Sequence, residues 1–182
     1  MAVVVFGDVN FGLLDGSSVW LQSVSNVLSL SGNKVYLVSR HNINVNNLLA
    51  KGLFDEVTLV DPSDERYLGG GYKDSLSPYG LKSIISIISK ESDIDAVVIR
   101  GDRYLSYMLD KSNYTIAPYI INEKNDYSII DKLIVNKDRV LTVLLQTERS
   151  RCLFESKNPE LSGIVSILPP MVPVAGDGFK VK

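Results

Sequence analysis

Ala2-Val3-Val4-Val5-Phe6 is an apolar run without a polar interruption. A run so short and uniform predicts a strand covered on both faces, the habit of a parallel sheet. The period then changes. From Ser17 to Leu30, Trp20, Val24, Val27 and Leu28 share one face of a helix. Asp15 or Ser17 can cap its start. Gly32 stands just past its end, where a left-handed cap belongs.

The alternation continues along the chain. Val35–Val38 and Val57–Val60 read as strands, with a short helix around Leu48, Leu49, Leu53 and Phe54 between them. Asp64 to Pro78 is the longest irregular stretch. Its Gly69-Gly70-Gly71 core, flanked by Tyr67 and Tyr72, reads as a mobile loop. Leu81, Ile84, Ile85 and Ile88 give a helical face, Asp95–Ile99 a fourth strand, and Tyr104, Leu105, Met108 and Leu109 another helical face. Thr115–Ile121 is a fifth strand in which Pro118 points to an edge position. Ile129, Ile130, Leu133 and Ile134 form a further helical face. Val140–Leu145 and Ile164–Leu168 are the sixth and seventh strands; between them Thr147 precedes a helix that runs through Phe154. Strands alternating with helices predict an α/β domain: a doubly wound, Rossmann-like parallel sheet of about seven strands with helices on both faces.

In such a sheet, ligands bind beyond the carboxyl ends of the strands, where the winding reverses. The first strand-to-helix loop, with Gly7, Gly12 and Gly16, belongs there. Gly16 would let the backbone turn tightly and let a ligand approach, and the helix start at Ser17 offers free N–H groups to an anion. Arg100-Gly101-Asp102-Arg103 belongs at the same place after the fourth strand. Arginine is the preferred fork for phosphate or carboxylate; the same residues could equally form a solvated loop with a local ion pair. Glu148 follows the sixth strand, where it can serve the helix dipole or a substrate. Tyr67, Tyr72 and Tyr79 could stack on a sugar or base, or only anchor their loop.

Several classes are excluded. The glycine spacing is not Gly-x-Gly-x-x-Gly, and Arg40-His41 stands where a ribose-binding acid would be, so a nicotinamide enzyme is not expected. No Gly-x-x-x-x-Gly-Lys-Ser/Thr occurs, which excludes a P-loop. The chain has one cysteine, Cys152, and one histidine, His41, so neither a zinc site nor an internal disulfide is expected, and no cofactor is assigned. Cys152, beside Leu153 and Phe154, reads as core, and His41 as a surface loop residue. A net charge of −2 with no long run of one sign gives no case for nucleic acid. The chain shows neither a leader pattern nor an apolar run of about 18 residues, so a cytoplasmic setting is expected.

Several segments together resemble the N-terminal half of retaining, group 1 glycosyltransferases of the GT-B fold. They are the apolar first strand; Asp15-Gly16-Ser17-Ser18 opening a helix; Leu28 followed by Gly32-Asn33-Lys34-Val35-Tyr36-Leu37-Val38; Val143-Leu144-Leu145-Gln146-Thr147-Glu148; and Ile164 through Pro173. Asn33 stands where the family has a histidine. The resemblance implies an N-terminal, acceptor-side domain over 1–170. Residues 171–182 would be a proline-containing linker and the start of a C-terminal, donor-binding domain. It implies transfer of a sugar from a nucleotide-diphosphate sugar, held mainly by that other domain, to a carbohydrate or lipid acceptor, with peripheral membrane contact in the lipid case. It gives Gly16 and Ser17 the donor-phosphate side, and Tyr72, Arg103 and Glu148 the substrate side. Arg100 and Asp102 fall where many members carry a histidine near the reacting sugar, which makes them the candidate catalytic pair. The rival reading is a stand-alone nucleotide- or phosphate-binding regulatory module.

Overall fold

The apolar runs pair side by side. In the computed structural model, which describes residues 1–43, 47–70, 72–121 and 127–169, the strands are β1 (Ala2–Gly7), β2 (Lys34–Val38), β3 (Val57–Val60), β4 (Ala96–Arg100), β5 (Ile116–Ile120), β6 (Val143–Leu145) and β7 (Val165–Ile167). They form one sheet in the order β3-β2-β1-β4-β5-β6-β7, and every pairing is parallel. The winding reverses between β1 and β4, so the carboxyl ends of those two strands bound the switch point.

Side chains alternate across the sheet, as the strand period requires. Val4 and Phe6 of β1 face one layer, Val3 and Val5 the other. The Val4–Phe6 side is covered by α3 (Pro78–Ile88) through Leu81, Ile84, Ile85 and Ile88, and by α4 (Asp102–Lys111) through Tyr104, Leu105, Met108 and Leu109. Ile129, Ile130 and Leu133 of α5 (Tyr127–Val135) and Phe154 of α6 (Glu148–Lys157) complete that layer. The Val3–Val5 side is covered by α1 (Gly16–Leu30) through Trp20, Leu21 and Val24, with Leu49 of the short α2 (Leu48–Lys51) behind it. Polar residues of α1 are buried too; Ser23 Oγ has no hydrogen-bond partner, but Gln22 and Asn26 are used. Gln22 Nε2 donates to the Leu49 carbonyl at 2.7 Å, and Asn26 binds the Gly52 carbonyl (2.9 Å) and the Phe54 N–H (3.1 Å). These bonds dock α2 onto α1. Gly32 ends α1 with φ +81°, as the sequence anticipates.

Three expectations are corrected. Pro118 does not mark an edge, because β5 lies inside the sheet between β4 and β6. Its missing N–H is tolerated at a gap in the β5–β6 ladder, which touches at Ile116–Val140 and resumes only at Tyr119–Leu144. The stretch after β3 is not a free loop. It forms a 3-10 helix over Glu65–Gly70, buries Tyr67 and Leu76 in the core, and is tied down by the Tyr104 hydroxyl, which donates to the Leu76 carbonyl at 2.5 Å. Cys152 is exposed rather than buried, because α6 turns Phe154 to the core. The linker expected over 171–182 lies outside the described residues.

Candidate functional site

The site begins with backbone geometry. β1 and β4 pair up to Gly7 opposite Arg100, and one further bond, Asp8 N–H to the Arg100 carbonyl at 2.7 Å, holds the strand ends together. The two chains then separate to opposite faces of the sheet. Gly101 permits this at φ +134°, and a Cβ there would lie 2.5 Å from the Asp8 Cβ. Only glycine fits both demands.

Arg100 reaches across the opening to the first turn of α1. Its Nη2 donates to Ser17 Oγ at 2.7 Å and its Nη1 to the Ser17 carbonyl at 3.2 Å. Its guanidinium lies 5.2 Å from the Trp20 ring centre, and Trp20 stacks on Tyr119 at 4.4 Å. Burial pushes the half-buried Arg100 guanidinium below its ordinary value, and burial likewise raises the Tyr119 phenol. The Tyr119 hydroxyl donates to the Leu168 carbonyl at 3.3 Å. On the other side, Asp8 accepts from Arg40 Nη1 at 2.6 Å, which joins the ends of β1 and β2.

These groups surround a cleft of about 370 Å³. Four residues singled out from the sequence line it: Ser17, Arg100, Asp102 and Arg103. Gly101, named with the stretch from Arg100 to Arg103, lines it too; Asp8, Val9, Tyr119 and Ile121 line it as well and were missed. Asp8 carried a signal, a polar residue directly after the first apolar run. Tyr119 carried none, since alternation inside a buried strand does not say which residue ends at a cleft.

The other candidates stand elsewhere. Tyr72 accepts from the Asn42 N–H (2.9 Å) and donates to the Asp74 carbonyl (3.3 Å), beyond the ends of β2 and β3. Glu148 pairs with Arg151 on the exposed first turn of α6 and accepts from Cys152 Sγ. Neither lines the cleft. Gly16 is next to Ser17, but its φ is not left-handed and a Cβ there would meet nothing within 4 Å. The tight turn expected of Gly16 is therefore not present. The loop turns instead through Asp15, the N-cap of α1. Its Oδ1 accepts from the N–H groups of Ser17 (2.8 Å) and Ser18 (2.9 Å), while Ser18 Oγ accepts from the Asp15 N–H (3.1 Å). The Ser18 N–H is the largest influence holding the Asp15 carboxyl below its usual range. Among the described residues no group of three or more His, Cys, Asp or Glu side chains could hold a metal ion.

The fold and this cleft at its switch point define a Rossmann-like α/β domain of the kind found in GT-B proteins. No family model matches the chain, and no curated protein does. Among solved structures, the apo form of UGT2 from Phytolacca americana, a plant UDP-glycosyltransferase, matches with a TM-score of 0.56 at 10% identity. The match covers 97% of this chain and 53% of that one, so this chain spans about half the length of that structure. At such identity the likeness concerns the fold.

Proposed function

We propose that this chain is the N-terminal, acceptor-side domain of a glycosyltransferase, of the retaining group 1 kind that its sequence resembles. The full enzyme would move a sugar from a nucleotide-diphosphate sugar to a carbohydrate or lipid acceptor. The observation that carries the reading is the match of nearly the whole chain to half of a glycosyltransferase structure. The cleft at the switch point agrees with it. In this reading Arg100 and Asp102 face the reacting sugar, and Arg103 and Asp8 offer hydrogen bonds to the acceptor. Gly16 and Ser17 flank the donor phosphates held by a second domain. Stabilising the leaving phosphate needs basic groups and dipoles from both halves, and closure of the two excludes water. Tyr72 and Glu148 would contact a larger acceptor at the rims of the same sheet edge. The location proposed is cytoplasmic, and a lipid acceptor would bring this edge against a membrane surface. No helix among the described residues is long and apolar enough to cross one.

The capping of α1 weighs against the rival, a stand-alone phosphate-binding module. The N–H groups of Ser17 and Ser18 already serve the Asp15 carboxylate, so the start of α1 has fewer donors with which to hold a phosphate unaided. The test is to incubate the 182-residue chain with a panel of nucleotide-sugars and acceptors while following amide shifts. The expected result is no turnover, weak response to nucleotides, and acceptor-induced shifts at Asp8, Gly101 and Arg103. Turnover by the chain alone would sink the half-enzyme reading. Tight nucleotide binding with no acceptor response would put the regulatory module in its place.

A further inference from the structure

Resting on the acceptor-domain reading, we propose that the cleft takes an acceptor bearing an oxyanion, a carboxylate or phosphate on a sugar-sized body, held by Arg100 and Arg103. Arg100 is a half-buried cation whose hydrogen-bond partners, the carbonyl and hydroxyl of Ser17, are both neutral. It forms no ion pair among the described residues. A guanidinium has five N–H donors in a rigid fork, and these two bonds leave donors unspent in a residue that lines the cleft. Taking a cation out of water is costly; Asp15 acts on Arg100 without forming an ion pair with it, and a bound oxyanion supplies a direct partner with matching bidentate geometry. Burial pushes the Arg100 guanidinium down, against the opposing influence of Tyr119 and Asp15.

Arg103 lines the same cleft three residues on, exposed and outside the ion pairs among the described residues. The start of α4 adds to it: Gly101 is its N-cap and supplies no side-chain bond, so the first-turn N–H groups are not closed by a cap of their own. Two carboxylates share the cleft. Asp8 is neutralised by Arg40 at 2.6 Å, and Asp102 has a partner of its own. A cleft of about 370 Å³ is at the small end of ligand sites and suits one sugar ring with its charged substituent. Tyr119 and Ile121 give that ring an apolar wall.

Trp20 is the chain's only tryptophan and touches Arg100, so its fluorescence reports on the site. The experiment titrates the chain with glucose, glucuronate, glucose 6-phosphate and UDP, with calorimetry alongside. Glucuronate and glucose 6-phosphate are expected to bind about tenfold or more tighter than glucose, the usual worth of a charge-assisted bond. Added salt should shrink that preference. Arg103→Gln, an exposed change that leaves the fold alone, should remove most of the preference, and Arg100→Lys should reduce it. Equal affinity for charged and neutral sugars overturns this inference and leaves the acceptor domain standing. Binding confined to UDP overturns the acceptor reading with it. No response to any of the three sugars, by fluorescence or heat, also overturns the inference.

Discussion

Two connections leave the switch point, and they treat the same problem in opposite ways. After β1 the chain wanders through residues 8–15 before α1, and Asp15 then closes the helix start with a capping box. After β4 a single residue, Gly101, separates the strand from α4, and that helix start has no side-chain cap. The first connection spends its helix donors internally. The second leaves Arg100, Arg103 and the start of α4 facing the cleft. Topology decides where a ligand can sit in a parallel sheet. Local capping decides which of the neighbouring loops has groups left to offer it.

The difference is broken most severely at Gly101. Gly101→Ala must hold a side chain at φ +134° and place Cβ 2.5 Å from that of Asp8. Backbone strain and the clash together should cost about 3 kcal/mol or more. Urea unfolding of the variant measures it directly. A midpoint equal to that of the parent would mean that the strand ends are not so closely crossed, and the cleft geometry would fall with it.

Much of this fold is legible in the chain because long apolar patterns leave few choices. Val57–Val60 is a strand as read, and the Ile-rich face of α3 and the Tyr104–Leu109 face of α4 are both buried as read. The misses have physical reasons. Pro118 argues against an interior strand only if the neighbouring ladder is continuous, and here it is interrupted. Cys152 sits among apolar neighbours in sequence, yet adjacent helical residues point to different sides. The site is harder to read than the fold. That Asp8 meets Arg40, 32 residues away, depends on strand order. That Gly101 rather than Gly16 is the glycine under constraint depends on a dihedral and on what stands opposite, and neither is written in spacing.

A smaller effect is expected at Asp15. Asp15→Ala removes the acceptor for two backbone N–H groups and should cost about 1 kcal/mol. Asp15→Asn keeps an oxygen in place and should cost less. The pH dependence separates the two roles. The Ser18 and Ser17 N–H groups depress the folded Asp15 pKa, so its contribution is fully present above the unfolded value of about 3.9. It is lost as pH falls through the lower folded value. Stability curves of parent and Asp15→Asn should therefore run parallel above about pH 5 and converge below pH 4. Curves that stay parallel into acid would mean that the carboxylate charge plays no part in the cap.

The smallest effect, and the sharpest test of the contrast between the two glycines, is Gly16→Ala. Position 16 opens α1, has no left-handed φ, and leaves a Cβ with no neighbour within 4 Å. Alanine lowers the entropy of the unfolded chain and favours the helix, so stability should hold or rise by about 0.5 kcal/mol. Thermal melts of the 182-residue chain give that number. In the two-domain glycosyltransferase proposed above, the same variant asks a different question. If Gly16 lies close to the donor phosphates, its new methyl should raise KM for the nucleotide-sugar while leaving the melt unchanged. If both the melt and KM are unmoved, nothing approaches Gly16, and the ligand contacts of this edge belong to the β4–α4 side alone.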